Sequence, residues 1–183
     1  MDSRTRIGWR IGFLFIVVTG LTGYARGEFK GEPITVKVDG GWCWFQQPRA
    51  IIDHDQIIAG SVTGVAGEGA GGKPGDICAT SYNLTTHAAG KPFVLANLHD
   101  HDDHAAPAFV ALPDGRILAC YENHGRSNYV YWRVTKSAGD ASQWGPQQKS
   151  LVNVVRDRNG NTYNNLFYLS VPDEIFDGSR AIG

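Results

Sequence analysis

The sequence predicts an all-β protein, and three observations lead to that prediction. The chain has 183 residues with 23 glycines and 11% aromatic residues, a composition typical of many short strands joined by turns. Apolar stretches of strand length alternate with turns that contain glycine, proline or aspartate. Beyond the N-terminal segment, no stretch has the sustained 3.6-residue spacing of apolar residues that predicts an amphipathic helix.

The N-terminal segment has the three parts of a secretory signal. Basic residues precede an apolar run from Ile11 to Val18, and small residues suited to a signal peptidase follow, ending at Gly27. The run is shorter than the roughly 20 residues that span a bilayer. We therefore predict a signal peptide over residues 1–27 and a secreted or periplasmic domain over residues 28–183. An uncleaved N-terminal anchor is the alternative.

Six strands are predicted in the domain: Ile34–Val38, Ile57–Val62, Ile77–Tyr82, Pro107–Leu112, Arg116–Tyr121 and Tyr129–Thr135. The clearest hairpin signal is the Asp114-Gly115 pair between two β-rich runs, because a tight turn needs a residue that accepts a positive φ. A second turn is predicted at Gly139-Asp140.

A faint internal repeat indicates how the strands are grouped. Residues Ala50–Gly60 align with Phe109–Ala119, and a further strand follows each copy. A period of about 50–60 residues built from strands is typical of propeller blades. The chain has room for about three blades, so we expect it to be the N-terminal part of a longer propeller. An open arc would leave unpaired strand edges.

Composition narrows the partners of the chain. The formal net charge of −1 argues against nucleic acid, and no membrane contact is predicted beyond the signal segment. The cysteines Cys43, Cys78 and Cys120 are odd in number and far apart, so they predict small buried residues in strands rather than disulfides or a zinc ribbon. The glycine-rich run Gly64–Gly75 lacks the ending of a phosphate-binding loop and is interpreted as a strand connection.

Titratable residues are concentrated just before one predicted strand: His99, Asp100, His101, Asp102, Asp103 and His104. His124 follows the return strand of the same hairpin, so His104 and His124 are expected at the same end of one blade. They could act as an acid/base pair or as two metal ligands. The other histidines of the run are interpreted as a solvated loop. No cofactor is predicted, and a structural divalent cation is left open.

An ordered set of motifs resembles a known family. Its members in this chain are Gly40–Ala50, Asp102–Ala108, Leu112–Leu118, Asn123–Gly125, Gly139–Trp144 and Thr162–Asn165. Together they are similar to the secreted bacterial-neuraminidase-repeat propellers, a family that includes the ulvan lyases. Within this set, residues 137–144 resemble a degenerate Asp-box, in which Asp140 would cap a hairpin turn and Trp144 would pack between blades.

The resemblance implies a seven-bladed propeller that cleaves a sulfated, uronate-containing polysaccharide by β-elimination. It implies that His104 is a catalytic histidine, that His124 is a second active-site histidine, and that Tyr163 is the acid or base, with Tyr168 as its rival. Substrate contacts are expected from four further residues: Arg49, Asp103, Arg126 and Asn164.

The chain departs from the family pattern near its C-terminal end, and two other functions stay open. The arginine that neutralises the substrate carboxylate in this family lies on the strand after the tyrosine, but Val171–Gly183 does not resemble that strand and Arg180 stands in a poor context. We therefore expect weak or no lyase activity if the chain is complete. A sialidase-like hydrolase is one alternative. The other is a non-catalytic carbohydrate-binding propeller that stacks sugars on four aromatic residues: Trp42, Trp44, Tyr82 and Tyr121.

Overall fold

A computed structural model describes residues 32–45, 47–64, 73–98, 102–152 and 160–181. The chain divides into a unit of residues 1–33 and a compact unit of residues 34–183. The predicted signal peptide lies outside the described residues, as do positions 65–72 of the glycine-rich run and positions 99–101 of the histidine-rich run. Within the described ranges, no helix is long and apolar enough to cross a membrane.

The described part of the compact unit consists of strands and loops, with one turn of 3₁₀ helix at Asp103–Ala105. The strands are β1 (Gly40–Gly41), β2 (Ala50–Asp53), β3 (Gln56–Thr63), β4 (Asp76–Asn83), β5 (Ala88–Ala89), β6 (Phe93–Asn97), β7 (Ala108–Ala111), β8 (Ile117–Tyr121), β9 (Tyr129–Ser137), β10 (Asp140–Trp144), β11 (Gln148–Leu151), β12 (Asn161–Thr162), β13 (Leu166–Leu169), β14 (Glu174–Asp177) and β15 (Arg180–Ala181). The prediction of an all-β protein is confirmed.

Two antiparallel sheets repeat one pattern. In the first, β3 lies between β2 and β4, β4 also pairs with β6, and short β1 and β5 extend the edges. In the second, β7, β8, β9 and β10 are neighbours in chain order, with β11 also against β9. Each sheet thus begins with a hairpin followed by a third strand, as the internal repeat predicted. Two further pairs, β12 with β15 and β13 with β14, follow.

The β7–β8 hairpin has the turn that its sequence predicts. Gly115 has a φ of +79°, in the left-handed region that glycine enters without steric cost. Asp114 accepts a hydrogen bond from the backbone N–H of Arg116 at 3.0 Å, which fixes the turn. The register pairs Ala108 with Cys120, so the residues before β7 and those after β8 meet at one end of the sheet.

Trp144 packs between the two sheets. Its ring lies 6.5 Å from that of Phe93 on β6 and 6.2 Å from that of Phe109 on β7, and it is 3% exposed. The Asp140 carboxylate accepts from both the backbone N–H and the hydroxyl of Ser142, at 2.8 and 2.6 Å. Asp140 therefore caps the turn and Trp144 fills the inter-sheet core, as the Asp-box resemblance implies.

Three expectations about local structure are wrong. Ile34–Val38 forms no strand, because its apolar residues pair with no described neighbour; Ile34 is 60% exposed and Val38 is 62% exposed. The C-terminal stretch does contain strands, because Glu174–Asp177 pairs with β13 and Arg180–Ala181 pairs with β12. All three cysteines are free and buried, but Cys43 lies in a loop instead of a strand.

We expect Trp144→Ala to destabilise the protein by about 3–5 kcal/mol, because it leaves a cavity between the two sheets. Urea unfolding followed by far-UV circular dichroism measures the change. Trp44→Ala is the matched control, since Trp44 is 74% exposed and its loss should cost less than about 0.5 kcal/mol. Equal losses for the two variants would contradict the packing role of Trp144.

Candidate functional site

The site begins at the 3₁₀ turn that precedes β7. Asp102 is the N-cap of this turn, and its carboxylate accepts from the backbone N–H of His104 at 3.0 Å. The same carboxylate oxygen also bonds Nδ1 of the His104 ring. One aspartate therefore fixes both the backbone and the ring of His104. Asp103 adds a second carboxylate, 2.9 Å from His104 Nδ1.

The second oxygen of Asp102 bonds Nδ1 of His124, which lies in the loop after β8. The imidazoles of His104 and His124 stack with their centroids 4.3 Å apart and their planes within 5°. The predicted meeting of the two histidines at one end of the hairpin is confirmed. Asp102 is the residue that sequence reasoning missed; its position two residues before His104 was the only available signal.

The bridge determines where the ring protons lie. Burial raises the pKa of Asp102, but hydrogen bonds from His124 and His104 outweigh burial, and the net pKa is lowered. Since an ionised carboxylate only accepts hydrogen bonds, both Nδ1 atoms must donate. In the neutral form of either ring, the lone pair is then on Nε2.

Tyr163 forms the third side of the site. Its ring centroid lies 5.0 Å from that of His104 and 6.3 Å from that of His124. Tyr163 has a φ of +63°, a strained conformation for a bulky residue and one that clusters at functional sites. The Asn165 amide donates to the Tyr163 carbonyl at 2.7 Å and holds this backbone in place. Burial, followed by the nearby Cys43 thiol, raises the pKa of Tyr163.

Arg180 is the cation that sequence reasoning set aside. Thr162 pairs with Arg180 across the β12–β15 ladder, and the guanidinium carbon lies 5.9 Å from the centre of the Tyr163 ring. The expectation that Arg180 stands in a poor context is wrong, because the turn after β14 returns the chain to β12. Gly178 N–H donates to the Asn165 carbonyl at 2.9 Å and closes this return.

The three bridged residues could also hold a cation. Ligand atoms of Asp102, His104 and His124 lie within 4.8 Å of one another. Because Nδ1 of both rings bonds Asp102, a metal bound to these histidines would take Nε2, with the carboxylate orienting each ring. The same Nε2 lone pairs serve an acid/base pair or a metal site, so this geometry is compatible with both interpretations.

Two carboxyl groups near the site have a raised pKa. Glu122, two residues before His124, is 1% exposed, and its burial raises its pKa to about 9, with the Asp177 charge as a further cause. The Thr162 side chain lowers the pKa of Glu122 and offsets this rise only in part. Burial also raises the pKa of Asp177, although hydrogen bonds from Asn165 and Asn164 oppose it. The pKa of Asp102, in contrast, is lowered.

The remaining predicted substrate residues are not all at the histidine pair. Asp103 is in contact with His104, as described above. Arg49 lies over the Trp42 ring at 4.3 Å. Asn164 is buried and its amide donates to Asp177 at 2.6 Å. Arg126 is exposed, and its backbone N–H donates to Asn123 at 2.6 Å.

Tyr168 lies on β13, and its hydroxyl donates to Asp173 at 2.7 Å. Of the four aromatics expected to stack sugars, Trp42 and Trp44 are exposed, by 51% and 74%. The other two cannot serve the carbohydrate-binding alternative as stacking surfaces: Tyr82 is 5% exposed and Tyr121 is fully buried, with its hydroxyl bonded to Leu95 and Gln147.

No model of a known protein family and no curated protein sequence matches the chain. Solved structures with a similar fold include two of a polysaccharide lyase of family PL25, an ulvan lyase, one of them bound to GlcA(1-4)Rha3S. Their TM-scores are 0.56 and 0.55; each is 19% identical and covers 79% of this chain and 33% of the lyase chain. This chain therefore spans about a third of that lyase's length and shares its β-rich, propeller-like fold.

We expect Asp102→Asn to destabilise the protein by about 1–2 kcal/mol at neutral pH, because an amide cannot accept from both rings as a carboxylate does. The folded-state pKa of Asp102 is lowered. Its contribution is therefore present above the unfolded pKa of about 3.8 and is lost as pH falls through the folded value.

Urea unfolding at about pH 7 and about pH 3 measures this difference. Asp55→Asn, in the exposed β2–β3 turn, is the control and should change stability by less than about 0.5 kcal/mol. Equal stability of Asp102→Asn and the parent protein at neutral pH would contradict the bridge.

Glu122→Gln should become more stable relative to the parent as pH rises from about 5 to about 9. The folded pKa of Glu122 is raised, so its favourable contribution is complete below the unfolded pKa and is lost as pH rises through the folded pKa. The parent should lose up to about 1.4 kcal/mol per pH unit relative to the variant. Unfolding at several pH values tests this, with the exposed Glu174→Gln as control. Parallel pH curves for Glu122→Gln and the parent would rule out a neutral Glu122.

Proposed function

We propose that this protein is a polysaccharide lyase that cleaves a uronate-containing polysaccharide by β-elimination. The observation that carries the proposal is the meeting of His104, His124, Tyr163 and Arg180 at one end of the sheets, with Asp102 bridging both imidazoles. The fold shared with an ulvan lyase supports the same class of substrate. Since this chain covers a third of that lyase, the activity is a proposal for the whole protein to which these residues belong.

The first step needs a base for the proton α to the uronate carboxylate. Histidine is the side chain best suited to take a proton near neutral pH. His104 is the base in this proposal, because its Nδ1–H is bonded to Asp102 and its Nε2 has the lone pair. When Nε2 takes the proton, the imidazolium that forms is stabilised by Asp102. The His124 ring stacks on one face of the His104 ring and restricts its rotation.

The leaving group needs an acid. As the α carbon loses its proton, its electron pair forms a double bond to the β carbon, and the bond from the β carbon to the glycosidic oxygen breaks. That oxygen needs a proton, and Tyr163 can donate one because its raised pKa keeps the phenol protonated at neutral pH. Tyr163 is therefore the general acid, and His104 and Tyr163 carry out separate proton transfers.

The developing enolate needs positive charge. Arg180 lies 5.9 Å from the Tyr163 ring, within reach of a carboxylate bound beside that ring. Arginine suits this role because its planar fork can bond both oxygens of a carboxylate. Charge stabilisation of this kind is commonly the largest single term in such catalysis.

Incubation with an oligosaccharide of the GlcA(1-4)Rha3S repeat tests the proposal. A lyase generates a conjugated double bond that absorbs in the ultraviolet, whereas a sialidase-like hydrolase generates new reducing ends without that absorbance. We expect the absorbance to rise, and His104→Ala to lower kcat by about 10²–10⁴-fold.

His54→Ala is the control, because His54 is an exposed histidine of the β2–β3 turn and also pairs with an aspartate, Asp53. It should leave kcat unchanged. Full turnover in His104→Ala, or products that lack the double bond, would contradict the proposed mechanism. Binding without any cleavage would favour the carbohydrate-binding alternative.

A further inference from the structure

The loop before β2 exposes three large aromatic side chains close together. Trp42 is 51% exposed, Trp44 is 74% exposed and Phe45 is 58% exposed, whereas Cys43 between them is buried. Contiguous apolar surface of this kind on a soluble domain marks a binding site more often than chance exposure. We call these three residues the aromatic wall.

The aromatic wall borders the histidine site. A pocket of about 410 Å³ is lined by Trp42, Cys43, Trp44, Phe45, Asp103 and His104. The Phe45 ring lies 5.0 Å from that of Tyr163, which in turn lies 5.0 Å from that of His104. A ligand in this pocket would therefore touch the aromatic wall on one side and the proposed base on the other.

Contacts within the protein hold the loop that carries the aromatic wall. Arg49 donates from Nη1 to the Cys43 carbonyl at 3.3 Å, and its guanidinium covers one face of Trp42. Gln47 forms a parallel bridge with Asn165, which fixes the end of the loop to the Tyr163 segment. A fixed aromatic surface binds at a lower cost in conformational entropy than one that must first be ordered.

The chemistry of the pocket selects the kind of ligand. An aromatic ring offers a flat apolar face, and the C–H groups on one face of a pyranose complement it, while the sugar hydroxyls stay in water. The wall therefore suits a sugar ring that presents an apolar face to Trp44 and Phe45.

We infer that the aromatic wall is a sugar-stacking subsite that binds the pyranose next to the uronate on which His104 acts. The inference rests on the proposed function for the position of the uronate. The stacking itself does not require turnover. Trp44 and Phe45 are thus positioning residues that hold the polysaccharide in register with the acid and the base.

The test measures binding of the sulfated uronate tetrasaccharide by calorimetry in the His104→Ala variant, because cleavage there should be slowed by about 10²–10⁴-fold. Trp44→Ala should weaken this binding at least about fivefold, the effect typical of truncating an aromatic anchor. Trp44→Phe, which keeps a flat ring, should restore most of the affinity. Phe45→Ala should also weaken binding, whereas Phe167→Ala, which removes an equally exposed phenylalanine (55%) from β13, should not.

Unchanged affinity in both Trp44→Ala and Phe45→Ala would overturn the subsite. The binding experiment and the lyase assay can fail independently of each other. If the parent protein cleaves the tetrasaccharide but Trp44→Ala keeps its affinity and KM, the subsite is wrong and the lyase proposal stands. If no cleavage occurs but binding depends on Trp44, the stacking surface stands and the lyase proposal is wrong.

Discussion

The site depends on one carboxylate that accepts hydrogen bonds from two imidazoles. Asp102 bonds Nδ1 of His104 with one oxygen and Nδ1 of His124 with the other. These bonds orient both rings, set the tautomer in which Nε2 has the lone pair, and keep a negative charge beside the position where a positive one forms. Without Asp102, no shared hydrogen-bond acceptor would fix both stacked rings with Nε2 directed to a ligand. Nε2 is thus a proton acceptor whose orientation is fixed by the hydrogen bonds to Asp102.

The fold supplies the geometry that this carboxylate needs. The β7–β8 hairpin returns the chain through the Asp114-Gly115 turn, so that the residues before β7 face the loop after β8. The Gly125 N–H then donates to Asn161 at 2.9 Å and draws the Tyr163 segment to the same edge. The close approach of the two sheets requires glycine at position 60, since a Cβ there would lie 2.6 Å from Pro107.

Much of this architecture is predictable because it is local. The hairpin, its turn residues and the spacing of 20 positions between His104 and His124 lie in one short stretch, and strand pairing alone brings the histidines together. The Asp-box turn was equally local, since Asp140 caps an amide only two residues away. The placement of the site at one end of a hairpin therefore follows from sequence.

The missing parts depend on contacts across the chain. Arg180 reaches Tyr163 only because β15 pairs with β12, a ladder of two residues with little hydrophobic pattern. Tyrosine is a residue type that often stacks on sugars at a surface. The Tyr121 hydroxyl instead donates to the Leu95 carbonyl in the core between the sheets. Asp102 was one of several similar acidic residues in the same run, and only the cap of the 3₁₀ turn distinguishes it from Asp103.

Nitrogen-15 NMR of the two imidazoles would show directly whether Asp102 bridges them. Each neutral ring should have its hydrogen on Nδ1 and a bare Nε2, and Asp102→Asn should disturb both rings together. A bare Nδ1 on His104 or His124 would contradict the carboxylate bridge.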